Sequence, residues 1–215
     1  MNALAALLDQ GLAELDIELS AAARRLMLRY LELLEQWNNI FNLTAVRTPK
    51  AMLKLHLLDS LTLLPYLKAK HPVDIGTGAG LPGLILAIAR SDQQWTLLDK
   101  AAKKTRFCTQ AIAELGIRNA QVVHCRAEDY RPKPRHDAAV TRALMDLASQ
   151  SALAATLCEP GARLYAMKGR YPKTELESME QRFNTDIVSL HVPGLSAQRH
   201  LVMIDLGQPG NQQHD

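Results

Sequence analysis

Apolar residues in the first third of the chain recur three and four positions apart, as they do along one side of an amphipathic helix. The clearest case follows Ser20, a good N-cap residue, and comprises Leu26, Tyr30, Leu33, Leu34 and Trp37. A weaker helix is predicted over residues 2–15, and another begins at Thr48 and Pro49 as N-cap and first helical position. Residues 1–70 are therefore predicted to form an N-terminal helical region.

Three asparagines interrupt this pattern between residues 38 and 42. Asparagine favours turns over the interior of a helix. Residues 37–44 are therefore predicted to form an ordered polar loop.

From Val73 onward, short apolar runs alternate with helical stretches. Strands are predicted at 73–75, 95–98, 121–124, 138–141, 162–167, 187–191 and 201–205, with helices that include 103–115, ending at Gly116, and 175–183. This alternation predicts a parallel sheet with helices on both faces. The last two strands leave no room for a crossover helix, so they should form an antiparallel hairpin. Residues 71–215 are thus predicted to form a second, α/β domain with a seven-stranded, mostly parallel Rossmann-like sheet, as in class I methyltransferases.

A glycine-rich turn follows the first predicted strand, with Gly76, Gly78 and Gly80 before a helical stretch. Glycine allows backbone angles closed to other residues and lets a ligand approach the main chain closely. In one register, Gly78, Gly80 and Gly83 spell the dinucleotide pattern G-x-G-x-x-G. In the other, the strand ends at Asp74 or Ile75 and the loop is Asp-x-Gly-x-Gly-x-Gly. The second is preferred because it keeps an interior glycine out of the strand.

The preferred register places Asp74 at the carboxyl edge of the sheet, where open α/β sheets bind ligands. An acid there suits a ligand with an amine and a positive centre, such as S-adenosylmethionine, better than a pyrophosphate. Asp99 ends the second strand 23 residues after Gly76, where nucleotide-binding folds hold ribose hydroxyls, although it could equally cap a helix. Ala127 and Glu128 follow the third strand, where an adenine would lie.

Arg142 leaves the fourth strand at the same edge. It could meet the ligand or an RNA phosphate, or it could pair structurally with Glu128. His56 and Asp59 lie three positions apart on a predicted helix. A metal site is disfavoured for them because no third ligand is evident; a hydrogen-bonded pair, or a role at the rim of the active site, fits better.

Basic residues follow three of the strands at that edge. Such runs are often only solvated faces, but three at one edge indicate contacts with nucleic-acid phosphates. The candidates for RNA binding are Lys100, Lys103, Lys104, Arg106 and Lys168.

The composition of the chain excludes several classes of protein. The chain is 47% hydrophobic with a net charge of +3, and its three cysteines suggest neither a disulfide framework nor a metal knuckle. No apolar stretch approaches the roughly 20 residues of a membrane span, and no signal peptide is evident. A cytoplasmic protein is therefore expected.

The fourth strand also lacks the Asp/Asn-Pro-Pro-Tyr motif that supports methylation of exocyclic amines, and reads Val140, Thr141, Arg142, Ala143 and Leu144 instead. A ring nitrogen with a free lone pair, such as guanine N7, needs no base to remove a proton. Positioning would then supply most of the catalysis.

Several motifs together resemble the bacterial small-subunit rRNA methyltransferase G family, also called glucose-inhibited division protein B. They are Trp37-Asn38 with Asn42-Leu43-Thr44, His56-x-x-Asp59-Ser60, the loop from Asp74 to Gly83, Leu97-Leu98-Asp99, Thr141-Arg142-Ala143 and Lys168-Gly169. The resemblance covers nearly the whole chain. It implies S-adenosylmethionine as cofactor, guanine N7 in the decoding-centre region of 16S rRNA or of the small ribosomal subunit as target, and cofactor contacts at Gly76, Leu81, Ala127, Glu128 and Arg142. A monomer without membrane contact is expected.

Two other functions stay open at this point. The dinucleotide register of the glycines is compatible with an NAD-dependent oxidoreductase. A non-enzymatic RNA-binding or assembly factor could also keep the same fold.

Overall fold

The computed structural model describes residues 2–179 and 183–207. The chain begins with two helices, α1 (Asn2–Glu14) and α2 (Ala21–Phe41). A continuous helical run follows, made of α3 (Pro49–Met52), a π-helical segment (Leu53–Leu58) and α4 (Asp59–Leu61). No helix in these residues is long and apolar enough to cross a membrane.

Seven strands then form one sheet. They are β1 (Pro72–Ile75), β2 (Trp95–Asp99), β3 (Ala120–His124), β4 (His136–Arg142), β5 (Cys158–Lys168), β6 (Thr185–Ser189) and β7 (His200–Asp205). The order in space is β3-β2-β1-β4-β5-β7-β6, with β7 antiparallel to both its neighbours. The predicted seven-stranded sheet with an antiparallel last hairpin is confirmed.

The strand order reverses between β1 and β4, which are parallel neighbours. Ligands bind at such a switch point, beyond the carboxyl ends of the strands. The helices between the strands are α5 (Gly83–Ala89), α6 (Ala102–Leu115), α7 (Leu147–Leu157) and α8 (Lys173–Ser178), with a 3₁₀ turn at Ala127–Asp129.

The predicted helix ends are confirmed where a specific cap fixes them. Ser20 Oγ accepts from the amide of Ala23, Thr48 Oγ1 accepts from the amide of Ala51, and Gly116 takes the left-handed conformation after α6. The predicted helix over 175–183 ends at Ser178 in the structure, and residues 180–182 lie outside the described part of the chain.

The predicted loop over residues 37–44 is wrong at its start, because α2 continues to Phe41. Asn38 is buried inside the helix, and its side-chain amide binds the segment that follows: Oδ1 accepts from the amide of Thr44 and Nδ2 donates to the carbonyl of Val46. Because these bonds satisfy the amide, the asparagine does not break the helix. The helix ends at Asn42, which takes the left-handed conformation with φ of 48°.

Two apolar clusters cover the two faces of the sheet. One contains residues of α1, α2, the π-helical segment, α5 and α6 together with β-strand residues such as Leu97 and Val140. The other packs α7 against residues such as Val73 and Leu164. The N-terminal helices therefore share a core with one face of the sheet, and a boundary between domains at residue 70 stays a prediction.

Candidate active site

The glycine turn, residues 76–83, lies directly after β1. Gly76, Gly78 and Gly80 have φ of +73°, +62° and +84°, which strains any residue with a Cβ. The amides of Gly76 and Thr77 both donate to the carbonyl of Leu98, at 2.8 and 3.0 Å. These bonds tie the turn to the end of β2. The strand ends at Ile75, as the preferred register predicted.

Asp74, in the last part of β1, stabilises this turn through hydrogen bonds. Its side chain is fully buried, and Oδ2 accepts from Thr77 Oγ1 at 2.6 Å and from the amide of Gly83 at 2.8 Å. Burial raises the pKa of Asp74 to about 6. Its hydrogen bonds direct the carboxylate toward the start of α5, and Asp74 is not part of the cleft lining described below. Its contact with a cationic ligand group stays a prediction.

Asp99 occupies the rim of the same turn. Its Oδ2 accepts from the amide of Gly78 at 2.9 Å and its Oδ1 accepts from the amide of Ala101 at 2.8 Å, just before α6. Lys104 Nζ lies 3.9 Å from Oδ2. Asp99 is not the N-cap of α6, because that position is taken by Ala101, and its side chain lines the cleft described next. Its contact with ribose hydroxyls stays a prediction.

A cleft of about 370 Å³ opens at the switch point of the sheet. Among the predicted site residues, the structure brings together Gly76, Gly78, Leu81, Asp99, Lys100, Lys104, Ala127, Glu128 and Arg142 on its lining. Gly80, Lys103, Arg106 and Lys168 are not part of that lining. Sequence reasoning missed several lining residues, above all Leu43, Thr44, Cys125, Met145 and Leu153.

One side of the cleft, called here the N-terminal wall, is formed by Leu43 and Thr44 and backed by His56 and Asp59. Thr44 Oγ1 lies 3.1 Å from His56 Nε2 and also accepts from the amide of Val46. The sequence contained a signal for this wall, the asparagines before residue 44. The spacing of these asparagines predicts only a turn, because the hydrogen bonds of Asn38 cannot be deduced from spacing.

Arg142 crosses from the sheet to this wall. Its guanidinium donates to the carbonyl of Leu55 at 3.1 Å and to Asp59 Oδ2 at 3.3 Å, and Arg199 Nε donates to Asp59 Oδ1 at 3.0 Å. The structural partner of Arg142 is therefore Asp59 and not Glu128. Burial raises the pKa of Asp59 above its ordinary value, while the two arginines act to lower it.

The predicted hydrogen bond between His56 and Asp59 is wrong, since each side chain binds other groups. His56 lies in the π-helical segment and Asp59 directly follows it, and the wider i→i+5 turn of that segment separates the faces that an α-helix would align. Burial, followed by the nearby Arg142, lowers the pKa of His56 to about 4, so the ring is neutral at physiological pH. Residues 2–179 and 183–207 contain no group of three His, Cys, Asp or Glu placed to hold a metal ion.

The predicted basic residues differ in their surroundings. Lys100 and Lys104 face the cleft, Lys103 Nζ donates to the carbonyl of Phe41 at 3.1 Å, and Arg106 is exposed on α6. Lys168 Nζ lies 2.7 Å from Glu175 and is mostly buried. Among these five residues, those available to a partner therefore lie on α6 or directly before it.

The fold resembles that of solved methyltransferases. One is a SAM-dependent methyltransferase from Aquifex aeolicus, with a TM-score of 0.54 and 16% identity over 72% of this chain and 93% of that one. Another is the O-methyltransferase TomG from Streptomyces achromogenes in complex with SAM, with a TM-score of 0.54 and 17% identity over 83% and 90% of the two chains. These likenesses show the class of fold, the Rossmann-like fold of S-adenosylmethionine-dependent methyltransferases.

The family is shown by sequence. Residues 23–202 match the model of the rRNA small subunit methyltransferase G family, and the chain belongs to that family. A protein of that name from Nitrosococcus oceani is 46% identical over 92% of this chain and 93% of its own. A second, from Laribacter hongkongensis, is 43% identical over 93% and 97%. The predicted family is confirmed, and the protein is a methyltransferase.

Proposed function

We propose that this protein transfers a methyl group from S-adenosylmethionine to N7 of a guanine in 16S rRNA, in the decoding-centre region of the small ribosomal subunit. The family membership supports rRNA as the substrate class. The observation that carries the choice of N7 is the chemistry of the cleft, whose described lining contains no histidine and only two carboxylates, Asp99 and Glu128.

The residues present fit the cofactor. Positive φ angles at Gly76 and Gly78 leave the backbone open to close approach, and Asp99 offers a carboxylate for ribose hydroxyls. Ala127 and Glu128 would lie beside the adenine, and Leu81 and Arg142 would complete the lining around the cofactor. When bound, S-adenosylmethionine supplies an electrophilic methyl group on a sulfonium sulfur.

The protein's own contribution is to position the guanine. Because N7 of guanine has a free lone pair, it would accept the methyl group as the bond from that group to sulfur breaks, and no proton would have to leave the base. His56 has a pKa of about 4 and is hydrogen-bonded to Thr44, and both oxygens of Asp59 accept from arginines. These groups orient the wall, and holding the reactants in line supplies the rate enhancement.

The test is methyl transfer from labelled S-adenosylmethionine to 16S rRNA and to small subunits taken from a strain that lacks the enzyme. The labelled base should be 7-methylguanine, located by reductive cleavage of the RNA chain at that nucleotide. Label on an exocyclic amine or on a ribose would overturn the proposed target atom, and label on neither RNA nor subunits would overturn the proposed substrate.

We further propose that the protein acts in the cytoplasm as a monomer. Assembled small subunits are located there. Sedimentation of the purified protein tests the second point: a stable dimer at micromolar concentration would contradict it.

A further inference from the structure

The last turn of α2 carries an exposed apolar tip, formed by Ile40 and Phe41. Ile40 is 72% exposed and Phe41 is 42% exposed. Single exposed apolar residues are ordinary on protein surfaces, whereas adjacent ones beside a functional cleft are informative. Water solvates the tip poorly, so a partner that covers it would be favoured.

The tip is held rigidly. The ring of Phe41 lies 5.1 Å from that of Trp37, which in turn lies 5.7 Å from Phe107 in the core. After Phe41 the chain turns at Asn42, whose side chain accepts from Arg47 at 2.8 Å. A rigid apolar tip can penetrate a partner without losing much conformational entropy.

Positive charge flanks the tip on two sides. Lys103 Nζ donates to the carbonyl of Phe41, and Arg47 lies against Asn42. Lys100 and Lys104 continue this charge along the rim of the cleft. Apolar and aromatic surface between cations complements a single-stranded nucleic acid, which offers flat bases between phosphates.

The tip is also close to the reaction site. Leu43, two residues beyond Phe41, lines the cleft. Two residues of chain span at most about 7 Å, so a base on the tip and a base in the cleft can be neighbours in one RNA strand.

We propose that the apolar tip stacks against the nucleobase adjacent to the target guanine. The tip then occupies the position of the guanine in the base stack, so that the guanine can enter the cleft. This inference rests on the proposed function, because it assumes an RNA substrate. Enzymes that act on a base in a structured nucleic acid extract it from the stack, and apolar side chains inserted between bases are a recurrent way to do so.

The test compares the steady-state kinetics of tip variants on the substrate that the wild type methylates. Ile40→Ser and Phe41→Ala should each lower kcat/KM for the RNA about tenfold, in line with the loss of one stacking contact. Ile40→Leu and Phe41→Trp are the matched controls and should keep near wild-type values. The affinity for S-adenosylmethionine should not change in any of the four variants.

Phe41→Trp also provides a direct reporter. Stacking of a base on the new indole should quench the protein's fluorescence when 16S rRNA is added, by more than in the wild type, which already contains Trp37 and Trp95. An unchanged kcat/KM in Ile40→Ser and Phe41→Ala would overturn the inference. So would unquenched fluorescence of the Phe41→Trp variant with an RNA that this variant methylates. A defect seen with small subunits but not with naked rRNA would also overturn it and assign the tip to a ribosomal protein. Absence of methylation by the wild type would instead refute the proposed function itself.

Discussion

Two buried aspartates stabilise the two sides of the cleft, and their side chains have different kinds of hydrogen-bond partner. Asp74, below the glycine turn, accepts hydrogen bonds only from neutral donors within nine residues of it, and its Oδ1 has no partner among the described residues. Asp59, behind the N-terminal wall, is bridged by Arg142 and Arg199, which are 83 and 140 residues away in the sequence. Asp74 thus stabilises the turn through local contacts, whereas Asp59 stabilises the wall through charged groups that only the complete fold brings together.

The largest effect on the free energy of unfolding is expected from a substitution behind the N-terminal wall. Asp59→Ala leaves two partly buried arginines without their shared carboxylate, and breaking a buried ion pair in this way costs about 3–5 kcal/mol of unfolding free energy. Denaturant unfolding measures this. The control is Asp186→Ala, which removes an exposed carboxylate 3.1 Å from Arg163 and should cost at most about 1 kcal/mol. Equal losses in the two variants would show that Asp59 does not organise the wall.

The second largest effect concerns Asp74 and the pH dependence of the protein's stability. Its pKa rises from 3.8 to about 6 on folding, so the native state binds more protons between these values and this group's contribution to stability falls as pH rises through that window. The change is at most about 3 kcal/mol. Asp74→Asn keeps an oxygen for Thr77 and Gly83 but cannot titrate. The variant should therefore gain stability relative to the wild type between pH 4 and pH 7, and a constant difference would contradict the shift.

These two regions also show how far the sequence could be interpreted. The turn, the strand end at Ile75 and the place of Asp99 were predictable because glycines and a following acid act within a short segment. Thr44 as a cleft residue and Arg199 as a partner of Asp59 were not, because a π-helical segment and a buried Asn38 have no distinctive spacing. The basic residues were identified by position, but the pairing of Lys168 with Glu175 could be seen only in three dimensions.

Asp99→Ala tests the cofactor side. Loss of a charged acceptor for the ribose hydroxyls should weaken S-adenosylmethionine binding by about 1.5–3 kcal/mol, measured by calorimetry. Asp99 also accepts from the amides of Gly78 and Ala101, so Asp99→Asn, which keeps an acceptor, should lose less. Unchanged affinity in a folded Asp99→Ala variant would assign the ribose contact to another residue.

The smallest effect is expected for substitutions at the start of α6, and it concerns KM for the RNA. Lys103→Glu and Lys104→Glu should raise KM for the RNA while leaving cofactor affinity nearly intact, because phosphate contacts hold the nucleic acid. The difference from the wild type should narrow as salt increases, since screening weakens the contact that the variants lack. Lys173→Glu, at an exposed site on α8, is the control. Normal KM values in both α6 variants would identify this helix as a merely solvated surface.

The central claim is that the cleft positions a nucleophile that needs no base, and the pH dependence of single-turnover methyl transfer tests it most directly. The rate should be nearly flat from about pH 6 to 8.5, because guanine N7 carries no proton to remove. The pKa of His56 is about 4 and burial lowers that of His136, so neither should impose a step in this range, and His56→Gln should leave the profile flat. A rate that rises about tenfold per pH unit, with the rise abolished in His56→Gln, would show that proton removal is part of the reaction and that N7 is not the target.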